Sequence, residues 1–417
     1  MARVLISFLG KGAPAKNVVS RRYLETNYRF EDSDKEYRCS FVAAAICDKY
    51  QVDRMILLGT VHSMWDEVYD YFSNRNNTFD ENVCLEIYDS CNNANHNSDL
   101  RLPYVEHIEQ ALGKGSKAIP IHYGLNSREI RENSDIILGL EQYLNRNDEL
   151  IIDITHSFRS LPMYVMNLLI YLRDVSSKKV RISHICYGML EVTGELGYSP
   201  VIEMNDLLEV NSWITGAYSF LEFGNAYKIA ELVGKVDTSL KNRLTDFSNI
   251  KNLNHLTALE NQCQQLQAVR NNEHLPRIAQ MVITPVINRF LDKVDTRGDK
   301  LHGHSEFQYR LACWQYNNHN YAASYISLNE AIVTRACEQQ GIDPLEFTHR
   351  ESMKKEFKNL RHGGGVYHDL KPFAYLYKDV SHIRNAIAHN MTSCANNSQS
   401  MIRKLDGYLK KYKELTC

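Results

Sequence analysis

"LIIDITHSFRSLPMYVMNLLIYLRD", residues 150–174, is the stretch on which the reading of the fold turns. It opens with a short isoleucine-rich run, "LIIDI" (150–154), and closes with "LPMYVMNLLIYLRD" (161–174), whose apolar residues recur at helical spacing. A strand that passes through a polar turn straight into a helix is the repeating half of a parallel α/β sheet. Working outward, "VLISFL" (4–9), "MILLG" (55–59), "KAIPI" (117–121) and "VRISHIC" (180–186) repeat the strand, while "SFVAAAICDKY", "MWDEVYDYF" and "IILGLEQYL" repeat the helix. The pattern predicts an α/β domain with a parallel sheet and helices on both faces.

After about residue 205 strand-like runs vanish. "WITGAYSFLEFGNAYKIAELV" and "NYAASYISLNEAIVTRACEQQ" read as long amphipathic helices, so the C-terminal half is expected to be all-α. "DTRGDKLHGHS" (295–305) punctuates it, and "HGGGVYHD" (362–369) reads as a loop. The expected division is 1–205, 206–300 and 301–417, in keeping with a chain of 417 residues. A hydrophobic fraction of 44% and a charged fraction of 24% are those of a soluble globular protein. Without an apolar run of membrane-spanning length or a secretory start, a cytoplasmic location with no membrane partner is expected. Ten cysteines without a C-x-x-C pair read as reduced thiols. The net charge of -2 excludes a broadly basic coat, so any RNA contact must be local.

Open parallel sheets bind ligands beyond the carboxyl ends of their strands. Three such ends carry small, hydroxyl or basic residues: "SFLGKG" (7–12), "LGTVHSMW" (58–65) and "DITHSFRS" (153–160). Gly10, Gly12 and Gly59 allow close backbone approach. Thr60, Ser63, Thr155 and Ser157 offer hydroxyls, and Lys11, His156 and Arg159 offer positive charge. Ser157 and Arg159 precede a helix, whose free N–H groups favour phosphate. The cluster reads as an anion or nucleotide pocket, although Gly and Ser are also ordinary turn residues and no G-x-G-x-x-G or Walker lysine is present. Asp153 reads as a cap of the following turn rather than a catalytic carboxylate.

"LISFLGKG", "LLGTVHSMWD" and "IIDITHSFRSLP", in this order and on these elements, resemble the hallmarks of CARF domains from CRISPR-associated proteins. The resemblance implies a Rossmann-like, dimeric domain that binds the cyclic oligoadenylate messengers of type III CRISPR systems. Its ligand-facing residues would be Gly10, Lys11, Thr60, Ser63, Thr155, His156, Ser157 and Arg159. Cyclic tetra-adenylate is the activator that the family suggests. "SWITGAYSFLEFG" (212–224) is similar to the helical connector of this group.

A second constellation lies near the C-terminus, in "RNAIAHN" (384–390), on the last helix but one. Asn385 and His389 share a helix face, whereas Arg384 stands about 140° from His389. Arginine holds phosphate oxygens in a bidentate fork and histidine exchanges protons near neutral pH. Together these suffice, without metal, for attack of a ribose 2'-hydroxyl on its own phosphodiester. A helix that merely carries an Arg and a His at its surface is the bland alternative. The stretch resembles the R-polar-x-x-x-H pattern of HEPN ribonucleases, and "CWQYNNHNYAASYISLNEAI" (313–332) resembles their early helices. That likeness implies Arg384 and His389 as catalytic pair, Asn385 as their orienting residue, an RNA substrate and a site completed across a homodimer or higher homo-oligomer. No metal or other cofactor is implied.

Arg350, Lys354, Lys355, Lys358, Arg361 and Lys371 are candidates for a local positive surface, diluted by Glu351, Glu356 and Asp369. Glu330 could pair with a basic group near the active site but is expected to be a plain surface carboxylate, and the two histidines of "HGH" (302–304) could bind metal but are expected to face solvent. Trp65, Trp213 and Trp314 lie on apolar faces and are expected in the core. The whole implies a CARF and HEPN effector ribonuclease. Two alternatives stay open: a nucleotide sensor whose helical half only dimerises or binds partners, and a ring nuclease that degrades its own messenger.

Overall fold

A computed structural model describes residues 2–13, 23–156, 158, 160–268, 275–294, 303–389 and 397–417. The chain divides into two compact units, Met1–Glu209 and Val210–Cys417. Among the described residues the first unit holds eight strands: β1 (Arg3–Leu9), β2 (Thr26–Phe30), β3 (Glu36–Cys39), β4 (Arg54–Gly59), β5 (Lys117–Pro120), β6 (Glu149–Asp153), β7 (Arg181–Gly188) and β8 (Ser199–Glu203). They form one sheet in the order β3-β2-β8-β7-β6-β1-β4-β5.

The five strands expected from apolar runs are contiguous here, from β7 through β6, β1 and β4 to β5, and every pair among them is parallel. Three strands not expected extend the β7 edge. β8 joins β7 antiparallel, β2 joins β8 parallel, and β3 folds back on β2. These are short strands with half-exposed side chains, so they lack the continuous apolar signature of strands covered on both faces.

Alternation sorts the central strands onto two cores. Val4, Ile6 and Phe8 of β1, Ile56 and Leu58 of β4, and Leu150 and Ile152 of β6 pack beneath the helices Ser127–Leu138 and Leu161–Asp174. Leu5 and Leu9, Met55 and Leu57, and Ile151 face the other side, under Val42–Tyr50, Trp65–Arg75, Glu81–Asn93 and Val105–Leu112. Helices thus cover both faces. The sheet reverses its direction of growth beside β1, which pairs with β6 on one side and β4 on the other. That is the switch point at which the carboxyl ends diverge and leave a crevice.

Among the described residues the second unit holds helices and connecting loops and no strand. It holds two cores. One gathers Trp213, Phe220, Phe247, Phe290 and Trp314. The other joins the helices Tyr321–Gln339, Phe347–Arg361, Lys371–His389 and Ser398–Thr416 through Tyr325, Leu328, Phe357, Leu376, Val380, Leu405 and Tyr412. The helix His304–Asn317 feeds both, with Leu311 and Trp314 in the first and Ala312 in the second.

Several expectations need correction. "WITGAYSFLEFGNAYKIAELV" is not one helix but two, Asp206–Phe223 and Tyr227–Val233. They are separated at Gly224, which adopts φ +64°, and a Cβ there would lie 2.8 Å from Trp314 and 2.9 Å from Lys251. Lys251, buried beside that break, donates to the Phe223 carbonyl at the helix C-terminus. His304 does not simply face solvent: its Nδ1 lies 2.6 Å from Glu260 Oε2. His302 and most of the 295–305 break are outside the described residues. Trp65, Trp213 and Trp314 are buried. The nine cysteines described are free thiols. No helix among the described residues is long and apolar enough to cross a membrane.

Candidate functional site

The carboxyl ends of β1, β4 and β6 frame a cavity of about 390 Å³. Ser7 pairs in register with Asp153, and Leu9 with Gly59, so the three turns that follow start at one level. Six of the eight residues expected to face a ligand line this cavity: Gly10, Lys11, Thr60, Ser63, Thr155 and His156. Ser157 and Arg159, the other two, lie outside the described residues.

Hydrogen bonds hold the walls. Ser63 Oγ donates to the Leu9 carbonyl at 2.7 Å and lies 3.2 Å from Thr60 Oγ1, while Trp65 Nε1 donates to the Thr60 carbonyl. Thr155 Oγ1 accepts from the Gly188 amide at 2.7 Å. The hydroxyls therefore brace neighbouring loops as well as lining the cavity. Asp153 is fully buried, accepting from Ser7 Oγ at 2.5 Å and from the Thr155 amide at 2.9 Å. It caps the turn that presents Thr155 and His156. Burial pushes its carboxyl above the usual range.

His156 differs from the others. Its Nε2 is buried with no hydrogen-bond partner among the described residues, and burial holds the imidazole below its ordinary range against the opposing pull of Asp153. A neutral imidazole with an unsatisfied nitrogen in a cavity wall is prepared to bond a ligand. Lys11 is exposed at the rim.

The glycines divide by role. A Cβ on Gly59 would fall 2.9 Å from Ser63 Oγ and 3.0 Å from Trp65, so its close approach serves the protein's own packing and not a ligand. Gly12 adopts φ +72° against Tyr23 and Met64. Gly10 would carry a Cβ at ordinary distance from His156.

Sequence reasoning missed the rest of the lining. His62, whose Nδ1 is 2.7 Å from the Cys91 carbonyl, sits between the two expected residues of its turn. Tyr123 and Phe158 form an aromatic pair at 5.8 Å over an apolar floor of Phe8, Leu58 and Ile121. Tyr123 follows β5, a fourth strand end that opens on the same cavity.

The second constellation lies at the C-terminal end of the helix Lys371–His389. Phe373, Leu376, Val380, Ile383 and Ala386 bury one face, His389 is exposed, and Arg384 and Asn385 are half-buried. Arg384 Nη1 donates to Asn385 Oδ1 at 3.0 Å, which turns the guanidinium toward the residue that shares a face with His389.

The expected basic surface is reduced. Arg350 is tied to Glu330, Thr334 and the Pro344 carbonyl, so Glu330 is an internal ion-pair partner and not a plain surface carboxylate. Lys354 pairs with Glu351, and Arg361 Nε donates to the Phe357 carbonyl. Lys355, Lys358 and Lys371 stay exposed. Glu356 and Asp369 bond the 366–367 loop amides and the Gln339 and Gln340 amides, respectively. Among the described residues no cluster of three or more His, Cys, Asp or Glu is arranged to hold a metal ion.

The fold is an α/β domain with a cavity at its strand ends, followed by a helical unit, and comparison with known proteins says what it is similar to. Residues 4–190 match the family model of the CRISPR system endoribonuclease Csx1, CARF domain, and residues 209–299 match that of the CRISPR-associated protein MJ1674, second domain. Among individual proteins, CRISPR-associated protein MJ1674 of Methanocaldococcus jannaschii is 32% identical over 405 residues, which span 93% of this chain and 62% of that protein. The chain thus spans about three fifths of the length of this curated relative. Enterococcus italicus Csm6 bound to cyclic hexa-2'-fluoro-hexa-dAMP aligns with 99% of this chain and 93% of its own, at 11% identity and a TM-score of 0.39, too loosely to bear on function. The N-terminal unit is therefore similar to a CARF domain, and the chain is similar to the CRISPR-associated protein MJ1674.

Proposed function

We propose that this chain is a cyclic oligoadenylate-activated, metal-independent endoribonuclease of type III CRISPR antiviral defence, working in the cytoplasm as a homodimer. In this reading residues 1–205 sense the messenger, 206–300 connect, and 301–417 form a HEPN-type ribonuclease domain. The observation that carries it is the single cavity beyond β1, β4 and β6, lined by Lys11, Thr60, Ser63, Thr155 and His156 within a stretch similar to the Csx1 CARF domain. The cavity offers cation, hydroxyl and imidazole to phosphate and ribose, and Tyr123 and Phe158 offer rings to adenine.

Cutting is assigned to Arg384, Asn385 and His389. His389 moves the proton between the 2'-hydroxyl and the leaving 5'-oxygen. Arg384, oriented by Asn385, stabilises the charge gathering on the phosphorane. Single-stranded RNA would be left with a 2',3'-cyclic phosphate and a 5'-hydroxyl. The messenger, with cyclic tetra-adenylate as the first candidate, activates by binding the cutting-competent arrangement more tightly than the resting one.

The test is incubation of the purified chain with fluorescent RNA, with and without cyclic tri-, tetra- or hexa-adenylate. Cutting that needs one ring size, and disappears in Arg384→Ala or His389→Ala while messenger binding persists, is the expected result. Messenger binding without cutting in the unaltered chain leaves a sensor that acts through partners. The Nε2 of His156, without a partner among the described residues, favours one second reading, cleavage of the messenger itself in its own cavity. Linear oligoadenylates released on incubation with the messenger alone, and lost in His156→Ala, would establish it.

A further inference from the structure

The geometry points to a second nucleic-acid contact: a phosphate clamp for single-stranded RNA in the helical unit, built by Arg289, Lys293 and Arg310. The inference rests on the ribonuclease reading for its choice of RNA. The clamp surrounds a cavity of about 210 Å³ whose floor is Phe290 and Trp314, far along the sequence from the helix that carries Arg384 and His389.

Arg289 and Lys293 are four residues apart on the helix Arg277–Val294 and so share a face. Both are exposed, and neither has a hydrogen-bond or ion-pair partner among the described residues. Arg310 faces them from the helix His304–Asn317, its Nε held 2.7 Å from Glu306 Oε1. Glu306 already pairs with Arg310, so Arg289 and Lys293 face one lining carboxylate, Glu222, which balances only one of them. A phosphate balances the other, and arginine meets it with a matching fork.

The floor tells backbone from base. Phe290 and Trp314 meet edge to face at 5.1 Å and 88°, both buried, so neither turns an open ring face to the cavity for a base to stack on. The cavity is also smaller than the roughly 300–1,000 Å³ usual for a small-molecule site, which suits a phosphate and part of a ribose better than a whole nucleotide. With the cations exposed at the rim, the occupant is a strand running past, gripped without regard to sequence. In a chain with net charge -2, this is a local basic site of the kind that RNA contact requires.

The experiment uses the full chain with His389→Ala to prevent cutting, and follows fluorescein-labelled oligouridylate and oligoadenylate by anisotropy over a series of KCl concentrations. In Arg289→Gln/Lys293→Gln, affinity should fall roughly tenfold for both sequences, and the slope of log affinity against log salt should shrink by about 1.4, the loss of two single-strand phosphate contacts. The charge-preserving Arg289→Lys/Lys293→Arg should restore the slope, separating lost charge from lost fold. Unchanged affinity and slope in the glutamine variant would overturn the clamp. Saturable quenching of tryptophan fluorescence by inorganic phosphate or AMP, with RNA affinity unaffected by the glutamines, would also overturn it by assigning the cavity to a free small anion. Because binding is read without cutting, a clamp that holds RNA in a chain that never cuts it sinks the ribonuclease reading alone.

Discussion

At the scale of single residues, Asp153 shows how a buried carboxyl is kept for the sake of a turn. Its two oxygens accept from Ser7 Oγ and the Thr155 amide, so the carboxylate fixes the backbone that presents Thr155 and His156 to the cavity. Asp153→Ala leaves those donors unpaired and should cost about 1–3 kcal/mol in chemical denaturation. It should also weaken messenger binding by calorimetry, since the turn loses its cap. Full affinity in that variant would remove the turn from the ligand's reach. Gly59→Ala should destabilise by about 1–3 kcal/mol through overpacking against Ser63 and Trp65, a cost readable as a lower denaturation midpoint. Residue types at strand ends were legible because their chemistry is local. The apolar lining and the Tyr123–Phe158 pair were not, since an aromatic residue after a strand looks the same whether it faces a cavity or a core.

At the scale of elements, the helical unit depends on how its helices begin and end. Gly224 stops the helix Asp206–Phe223 in the left-handed region, where no other residue fits between Trp314 and Lys251. Gly224→Ala carries about 1–2 kcal/mol of backbone strain before any clash is counted, and should lower the thermal midpoint accordingly. Apolar periodicity runs across this break without interruption, so the sequence pattern alone reads one helix. At the other end of this region His304 opens the helix His304–Asn317 against Glu260 of the helix Leu256–Ala268. The hydrogen bond to Glu260 holds the imidazole above its ordinary range. A raised folded value means that this pair stabilises fully below the unfolded histidine range and loses its effect as pH rises through the folded value. Thermal stability should therefore fall across that rise, and Glu260→Gln should flatten the dependence. An unchanged profile in Glu260→Gln would show that another group sets it.

At the scale of the whole molecule, the first unit closes its own two cores around one sheet, so a fragment of residues 1–209 should fold alone. It should unfold cooperatively by circular dichroism and bind cyclic oligoadenylate while failing to cut RNA. A fragment that cuts would move the ribonuclease site into the sheet. The five parallel strands and the all-α second half could be read from apolar runs and helical spacing, because burial on both faces or along one stripe imposes those patterns on any chain. Strand order, the three added edge strands and the meeting of three distant turns around one cavity could not. They depend on hydrogen bonds between separate segments, some more than a hundred residues apart, as when Ser7 meets Asp153, and no local pattern records which strand lies beside which. The same holds for Arg289, Lys293 and Arg310: each reads as a solvated charge on its own helix, and only packing two helices together makes them a site.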